Sequence, residues 1–222
     1  MPTLDWFPLW LSLEVATIAT CLSAGVGIWL AWVLANRTFP GKDIVDALTA
    51  LPLALPPTVL GYYLLTVIGR NSMFGQAWES VTGSPLVFTP AAAVIAAMLH
   101  AIPLLVKSTR AALESVDHDF ERAGRSLGAS EWRIFWRVSL PLAKRPVAAA
   151  TALAFARCLG DFGATLMIAG DIPGRTQTVA VAVFDAVEAG NTATARWLVL
   201  AISAITILLV FLSNRLERRR PA

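Results

Sequence analysis

Charge is the scarcest property of this sequence. Asp, Glu, Lys and Arg make up 15% of its 222 residues, while 56% are apolar and the mean hydropathy is +0.64. Soluble domains carry about a quarter charged residues, so a water-soluble globular fold is excluded. The net charge of +3 does not argue for a nucleic-acid surface, because the basic residues are sorted by loop. Cysteine and histidine are nearly absent as well. Cys21 and Cys158 lie far apart inside apolar windows and read as small buried hydrophobes, not as a disulfide or as ligands. His100 and His118 have no Cys or His partner at metal-ligand spacing, so no metal site is assigned.

Catalytic and energy-coupling motifs are missing too. An ATP-hydrolysing P-loop needs G-x-x-x-x-G-K-[ST], and the nearest fragment, Pro40-Gly41-Lys42-Asp43, lacks the first glycine and the hydroxyl residue. No Ser–His, paired-Asp or H-E-x-x-H arrangement falls in the apolar stretches. No catalytic residue is therefore assigned, and the chain is read as a non-enzyme. The start, MPTLDWFPLW, has no basic n-region, and the apolar run from Pro8 to Ala35 is too long for a signal-peptide core. It reads as a retained first span.

What is present is a set of long apolar windows. A bilayer core of ~30 Å needs about 20 apolar residues in one helix. Five windows qualify, at about 8–35, 47–69, 88–107, 146–169 and 194–214. The fold class expected is an all-α, multi-pass integral membrane protein, with residues 11–214 as one transmembrane domain. Trp6 and Trp10 at one end of the first span, and Trp29 and Trp32 toward the other, suit interfacial anchors. In the second span Pro52, Pro56 and Pro57 must break or kink the helix. The third starts with Thr89 as cap and Pro90 at the first helical position, and is expected to bend near Pro103. Ser23, Gly27, Ala31 and Ala35, four residues apart, favour helix–helix contact in the first span.

Lys and Arg set the orientation. Fourteen of the 18 fall in the 36–46 loop, the 107–145 segment and the 215–222 tail. The positive-inside rule makes these cytoplasmic, with the N-terminus outside and the C-terminus inside, and five spans satisfy that parity.

The 107–145 segment contains FERAGRSLGASEWRIFWRVSLPLAKRP, Phe120 to Pro146. Asp117 or Asp119 can cap a short helix that Gly128 ends. Ser130 can cap a second, with Trp132, Phe135, Trp136 and Ser139 on one face, Arg133 and Arg137 on another, and Pro141 as its expected end. A membrane-surface amphipathic helix and a docking element for a cytoplasmic partner both fit this composition.

The spacing Ala123-Gly124, Gly128, then nine residues, then Val138-Ser139-Leu140-Pro141 resembles the cytoplasmic EAA loop of ABC-importer permeases. Arg122 stands at that motif's Glu position, with Glu121 one residue early and so ~100° around the helix. The resemblance implies a type I importer permease fold, with a coupling helix at 117–141 that meets the ATP-hydrolysing subunit. Its residues would be Glu121, Arg122, Ala123, Gly124, Arg125, Leu127, Gly128, Trp132, Phe135, Leu140 and Pro141.

Two further stretches, LPLALPPTVLGYYLL and CLGDFGATLMIAGDIPGRTQT, are similar to the molybdate ABC-transporter permeases. The likeness runs from about Leu11 to Asn214, and sulfate/thiosulfate permeases share the F-G-A-T segment. The departures are Asp161 where Glu is common and Asp171 where Asn is common. The family implies two copies of this chain, two copies of an ABC ATPase that carries ATP and Mg, and an extracytoplasmic molybdate-binding protein. All would work at the bacterial cytoplasmic (inner) membrane, with no cofactor in this chain.

A divalent oxyanion needs hydrogen-bond donors that do not hold it too tightly, and broken helices supply them. Pro56, Pro57, Thr58, Arg157, Asp161, Gly163 and Thr165 are candidate path residues; packing kinks and close-contact glycines explain the same prolines and glycines. Arg157 lies near the bilayer middle, where an ionised arginine costs ~2.5 kcal/mol or more, and Asp161 one turn on can pair with it. His100 reads as a satisfied interhelical polar group, and Glu14 as interfacial.

Overall fold

The computed structural model describes residues 5–218, and every regular element among them is helical. α1 (Phe7–Asn36) opens with Pro8 in its first turn, and the Phe7 N–H donates to Asp5 Oδ1 at 2.9 Å. α2 (Lys42–Ala54) and α3 (Pro57–Ile68) meet at an angle of 117°. The cause is local. Pro56 and Pro57 offer no N–H to the preceding turn, and Pro56 takes ψ 139. The second apolar window is thus two helices rather than one kinked span.

α4 (Met73–Thr82) is capped by Ser72, whose Oγ accepts from the Gly75 N–H at 2.8 Å, and it ends at Gly83 with φ +74. No span signal marked it. Arg70 fastens it with two hydrogen bonds to Glu79, at 2.7 and 3.1 Å.

α5 (Pro90–Glu114) is capped by Thr89 and runs uninterrupted through Pro103, longer than the expected 88–107 span. It is the central helix. Ser23, Gly27 and Ala31 of α1 are buried, and a Cβ on Gly27 would lie 2.9 Å from Leu105 Cβ. The small-residue row of α1 is therefore the seam with α5. Thr20 and Cys158 also face each other in this core, at 3.8 Å. Cys158 is buried as expected, whereas Cys21 is exposed on the outer face of α1; its neighbours in the seam, Thr20 and Ser23, take the inward positions.

α6 (His118–Ser126) is capped by Asp117, not Asp119, and Gly128 beyond it has φ +78. α7 (Glu131–Ile134) is capped by Ser130 and passes through a π-helical turn, Phe135–Ser139, into α8 (Leu140–Leu159). Pro141 therefore does not end the second helix of the loop. It occupies the first turn of α8, where the widened turn, with the Leu140 N–H reaching Phe135 O, accommodates a residue without a donor. α9 (Gly163–Ala169) follows at 58°, so the fourth window is also a bent pair, broken at Gly160-Asp161-Phe162.

α10 (Val179–Glu188) is a second short helix that the sequence reading did not separate, and α11 (Thr192–Arg218) closes the described chain. Arg219 and Arg220 of the basic tail lie outside the described residues. The I-P-G-x-T-Q-T stretch builds the turn into α10. Ile172 O accepts from the backbone N–H groups of Arg175, Thr176 and Gln177, and the Val179 N–H donates to Ser12 Oγ of α1 at 2.7 Å. Among the described residues three helices, α1, α5 and α11, are long and apolar enough to cross a membrane, and five spans result when each bent pair counts as one. Only 11% of the apolar window of α11 is buried, against 56% for α5, so α11 turns most of its surface to lipid or another subunit.

Candidate functional site

Two regions combine polar chemistry with departures from regular helix. The first is the hairpin of α6 and α7 at the arginine-rich end. Glu121 is buried and faces inward: Ser139 Oγ donates to its Oε1 at 2.8 Å, with Arg125 at 3.5 Å and His118 at 3.6 Å on Oε2. Arg125 also grips Glu131 with two bonds, at 2.7 and 3.2 Å. Glu121 is thus an internal brace, whereas Arg122 is exposed and pairs at 3.4 Å with exposed Asp119. Gly124 lies under Ile134, 3.1 Å from where a Cβ would sit. Phe135 is buried among Trp32, Trp132 and Trp136, with ring centroids 5.3–5.9 Å away, and Arg37 lies over Trp32. Trp32 is therefore tied to the hairpin and is not a free interfacial anchor. Leu127 is 88% exposed, and Trp132 and Trp136 are half-exposed.

Replacing Glu121 with Ala strands the buried Ser139 hydroxyl, a loss of about 1–3 kcal/mol. Faster limited proteolysis of the hairpin is the expected sign. Glu131 behaves differently because it sits at the surface. The Arg125 hydrogen bond holds its carboxyl below the usual carboxylate range, opposed by partial burial and helped by Arg37. Because that pKa is depressed, the pair's stabilisation is present at neutral pH and is lost as pH falls through the folded value. An exposed pair contributes about 1 kcal/mol or less. Glu131→Gln should change thermal stability little at pH 7 and remove this acid-side dependence from a melting-temperature series.

The second region is the break between α8 and α9. Asp161 Oδ2 accepts from both the N–H and the hydroxyl of Thr165, at 3.1 and 2.6 Å, and so caps the start of α9. Its Oδ1 lies 3.2 Å from His100 Nδ1 of α5 and 3.8 Å from Arg157 Nη1 of α8. Neither approach is an aligned hydrogen bond. Asp161, His100 and Thr165 are buried, while the Arg157 side chain is 36% exposed. The Arg157–Asp161 pair expected at one-turn spacing is present as the longer of two approaches. The shorter one, to His100, was missed. Its signal was depth: His100 sits mid-way along its span, as Asp161's neighbourhood does along its own.

Gly163 lies against Pro57 and Thr58, where a Cβ would meet Pro57 Cβ at 3.1 Å and Thr58 N at 3.4 Å. The two breaks therefore touch. Pro56, Pro57 and Thr58 are exposed and Gly163 is buried. The Thr165 hydroxyl is spent on Asp161, so it is no free donor to a path in this conformation.

A helical bundle with apolar spans, two broken helices in contact and an arginine-rich hairpin at one end fits a membrane-transport subunit. The model of binding-protein-dependent transport system inner membrane components matches residues 24–219, and the chain belongs to that family. It is 39% identical over 216 residues to the molybdenum transport system permease protein ModB of Escherichia coli (strain K12), covering 96% of this chain and 94% of that one. It is also 39% identical over 204 residues to the putative molybdenum transport system permease protein YvgM of Bacillus subtilis (strain 168), covering 92% and 90%. The sulfate transport system permease protein CysT of E. coli (strain K12) is 32% identical over 204 residues, covering 92% and 73%. Among solved structures, an inward-facing MetNI methionine ABC transporter chain superposes with a TM-score of 0.75 at 16% identity, covering 98% of each chain. A bacterial alginate ABC transporter chain gives 0.75 at 13% identity, covering 96% and 78%. The fold is thus the type I ABC-importer permease fold.

Proposed function

We propose that this chain is the membrane-spanning permease subunit of an ATP-driven importer that carries molybdate across the bacterial inner membrane. The observation that carries this reading is the 39% identity to molybdenum permeases along nearly the whole chain, against 32% to a sulfate permease. Two copies of the chain enclose the path, because one bundle leaves α11 and the outer faces of α2 and α3 uncovered. Residues 117–141 face the cytoplasm and meet one of two ATPase subunits, which bind ATP and Mg, through Leu127, Trp132, Trp136 and the outer surface of α6. An extracytoplasmic binding protein delivers the anion, the N-terminus lies outside and the C-terminus inside.

In this reading the anion passes the paired breaks. Thr58 and Arg157 offer donors at the exposed edge, and Asp161 with Thr165 holds α9 in place beside them. Motor closure reaches the breaks through α8, which is continuous with the hairpin through the π-helical turn. The purified permease with its ATPase should form a two-plus-two complex whose ATP hydrolysis rises when molybdate-loaded binding protein is added. A complex indifferent to that protein would overturn the importer assignment.

A further inference from the structure

We infer that His100 is a positioning residue that keeps Arg157 available to the passing anion by holding the carboxylate that would otherwise capture it. The inference rests on the proposed path along the α8–α9 break and adds how that site is controlled.

Asp161 has two oxygens with unequal surroundings. Oδ2 is committed to the cap of α9 through the Thr165 N–H and hydroxyl. Oδ1 has no aligned hydrogen bond, and two donors approach it, His100 Nδ1 at 3.2 Å and Arg157 Nη1 at 3.8 Å. A buried carboxylate oxygen without a partner is costly, so one of the two donors must satisfy it.

The two competitors differ in freedom. His100 is buried in the middle of α5, and its Nδ1 is itself without an aligned partner. A neutral imidazole with its proton on Nδ1 is sufficient to donate to Oδ1. Arg157 reaches the cluster from the side, with its head partly exposed. Its five donors suit an oxyanion as well as a carboxylate. The groups facing the carboxylate from the packed elements are therefore His100 from α5, Arg157 from α8 and Thr165 from α9.

The arrangement works as an exchange. When His100 turns onto Oδ1, Arg157 is released toward the side from which its head is exposed. When the anion leaves, Arg157 returns to Asp161 and its charge is neutralised within the membrane. The path thus carries an arginine that is neither permanently locked nor permanently bare, which suits an anion that must bind and depart.

The test uses the assembled transporter of permease, ATPase and binding protein in proteoliposomes, with molybdate as the probe. His100→Ala leaves Oδ1 to Arg157 alone, so molybdate moved per ATP should fall about tenfold, with hydrolysis stimulated by loaded binding protein retained. His100→Asn, whose side-chain amide nitrogen can stand near the Nδ1 position, should keep most of the transport. The double variant His100→Ala/Asp161→Asn should transport better than His100→Ala but less than the unaltered permease, because Asn still caps α9 and no longer captures Arg157, yet leaves it without a partner once the anion has gone. Normal transport by His100→Ala, or a double variant no better than His100→Ala at equal membrane level and melting temperature, would overturn the inference. Arg157→Gln transporting at the normal rate would overturn the path reading itself.

Discussion

Gly61→Val is expected to abolish transport and to lower the amount of permease recovered from the membrane. Gly61 lies where α3 presses on α9. A Cβ there would sit 2.7 Å from Met167 Cβ, 3.0 Å from Met167 Cγ and 3.2 Å from Ala164 Cα. Two of those atoms are not flexible side-chain ends, so a helix must move. α9 cannot move alone, since it is held by the Asp161 cap on one side and by the Phe88 N–H, which donates to Ile168 O at 2.8 Å, on the other. Overpacking a well-filled site by even a methyl costs about 1–3 kcal/mol, and valine adds two further methyls. Gly61→Ala should therefore assemble with a lowered melting temperature and reduced transport, and Gly61→Val should fail. Equal uptake and stability for Gly61→Val would show that the two breaks do not depend on this contact.

The second large effect is expected at the α6–α7 hairpin. Leu127→Asp should leave the permease inserted and stable, because this side chain is 88% exposed. It should nevertheless stop uptake. Covering a leucine at an interface contributes about 1.5–3 kcal/mol, so its loss alone weakens ATPase association about 10- to 100-fold, and a buried unpaired carboxylate adds to that. Co-purification of the ATPase with the permease measures it directly. Retained association with lost uptake would place the defect in transmission through α7 and α8, and undiminished uptake would remove Leu127 from the docking surface. Glu121→Ala acts inside the hairpin and should differ, loosening the element more than the contact.

The contrast between those two residues shows what could be read in advance. The caps at Ser130 and Thr89, the break at Pro56-Pro57 and the left-handed Gly128 depend on chemistry within a few residues. So does the small-residue row of α1, which needs only helical spacing. The inward direction of Glu121 depends on Ser139, eighteen positions away, and the His100–Asp161 approach joins α5 to the α8–α9 break. No local pattern encodes either. Pro141 illustrates a subtler limit. Proline stops a helix that has begun and also starts one, and between these roles stands a π-helical turn whose Phe135 and Ser139 are buried against distant parts of the chain. The short helices α4 and α10 escaped because neither reaches the length of a span.

ATP-driven movement of molybdate through this permease can be read from uptake of molybdate into proteoliposomes that hold the chain, its ATPase and its binding protein, with sulfate present in excess. Uptake should require ATP and all three components, and sulfate should barely reduce it. Strong competition by sulfate would contradict the cargo, and uptake by this chain alone without ATP would contradict the importer.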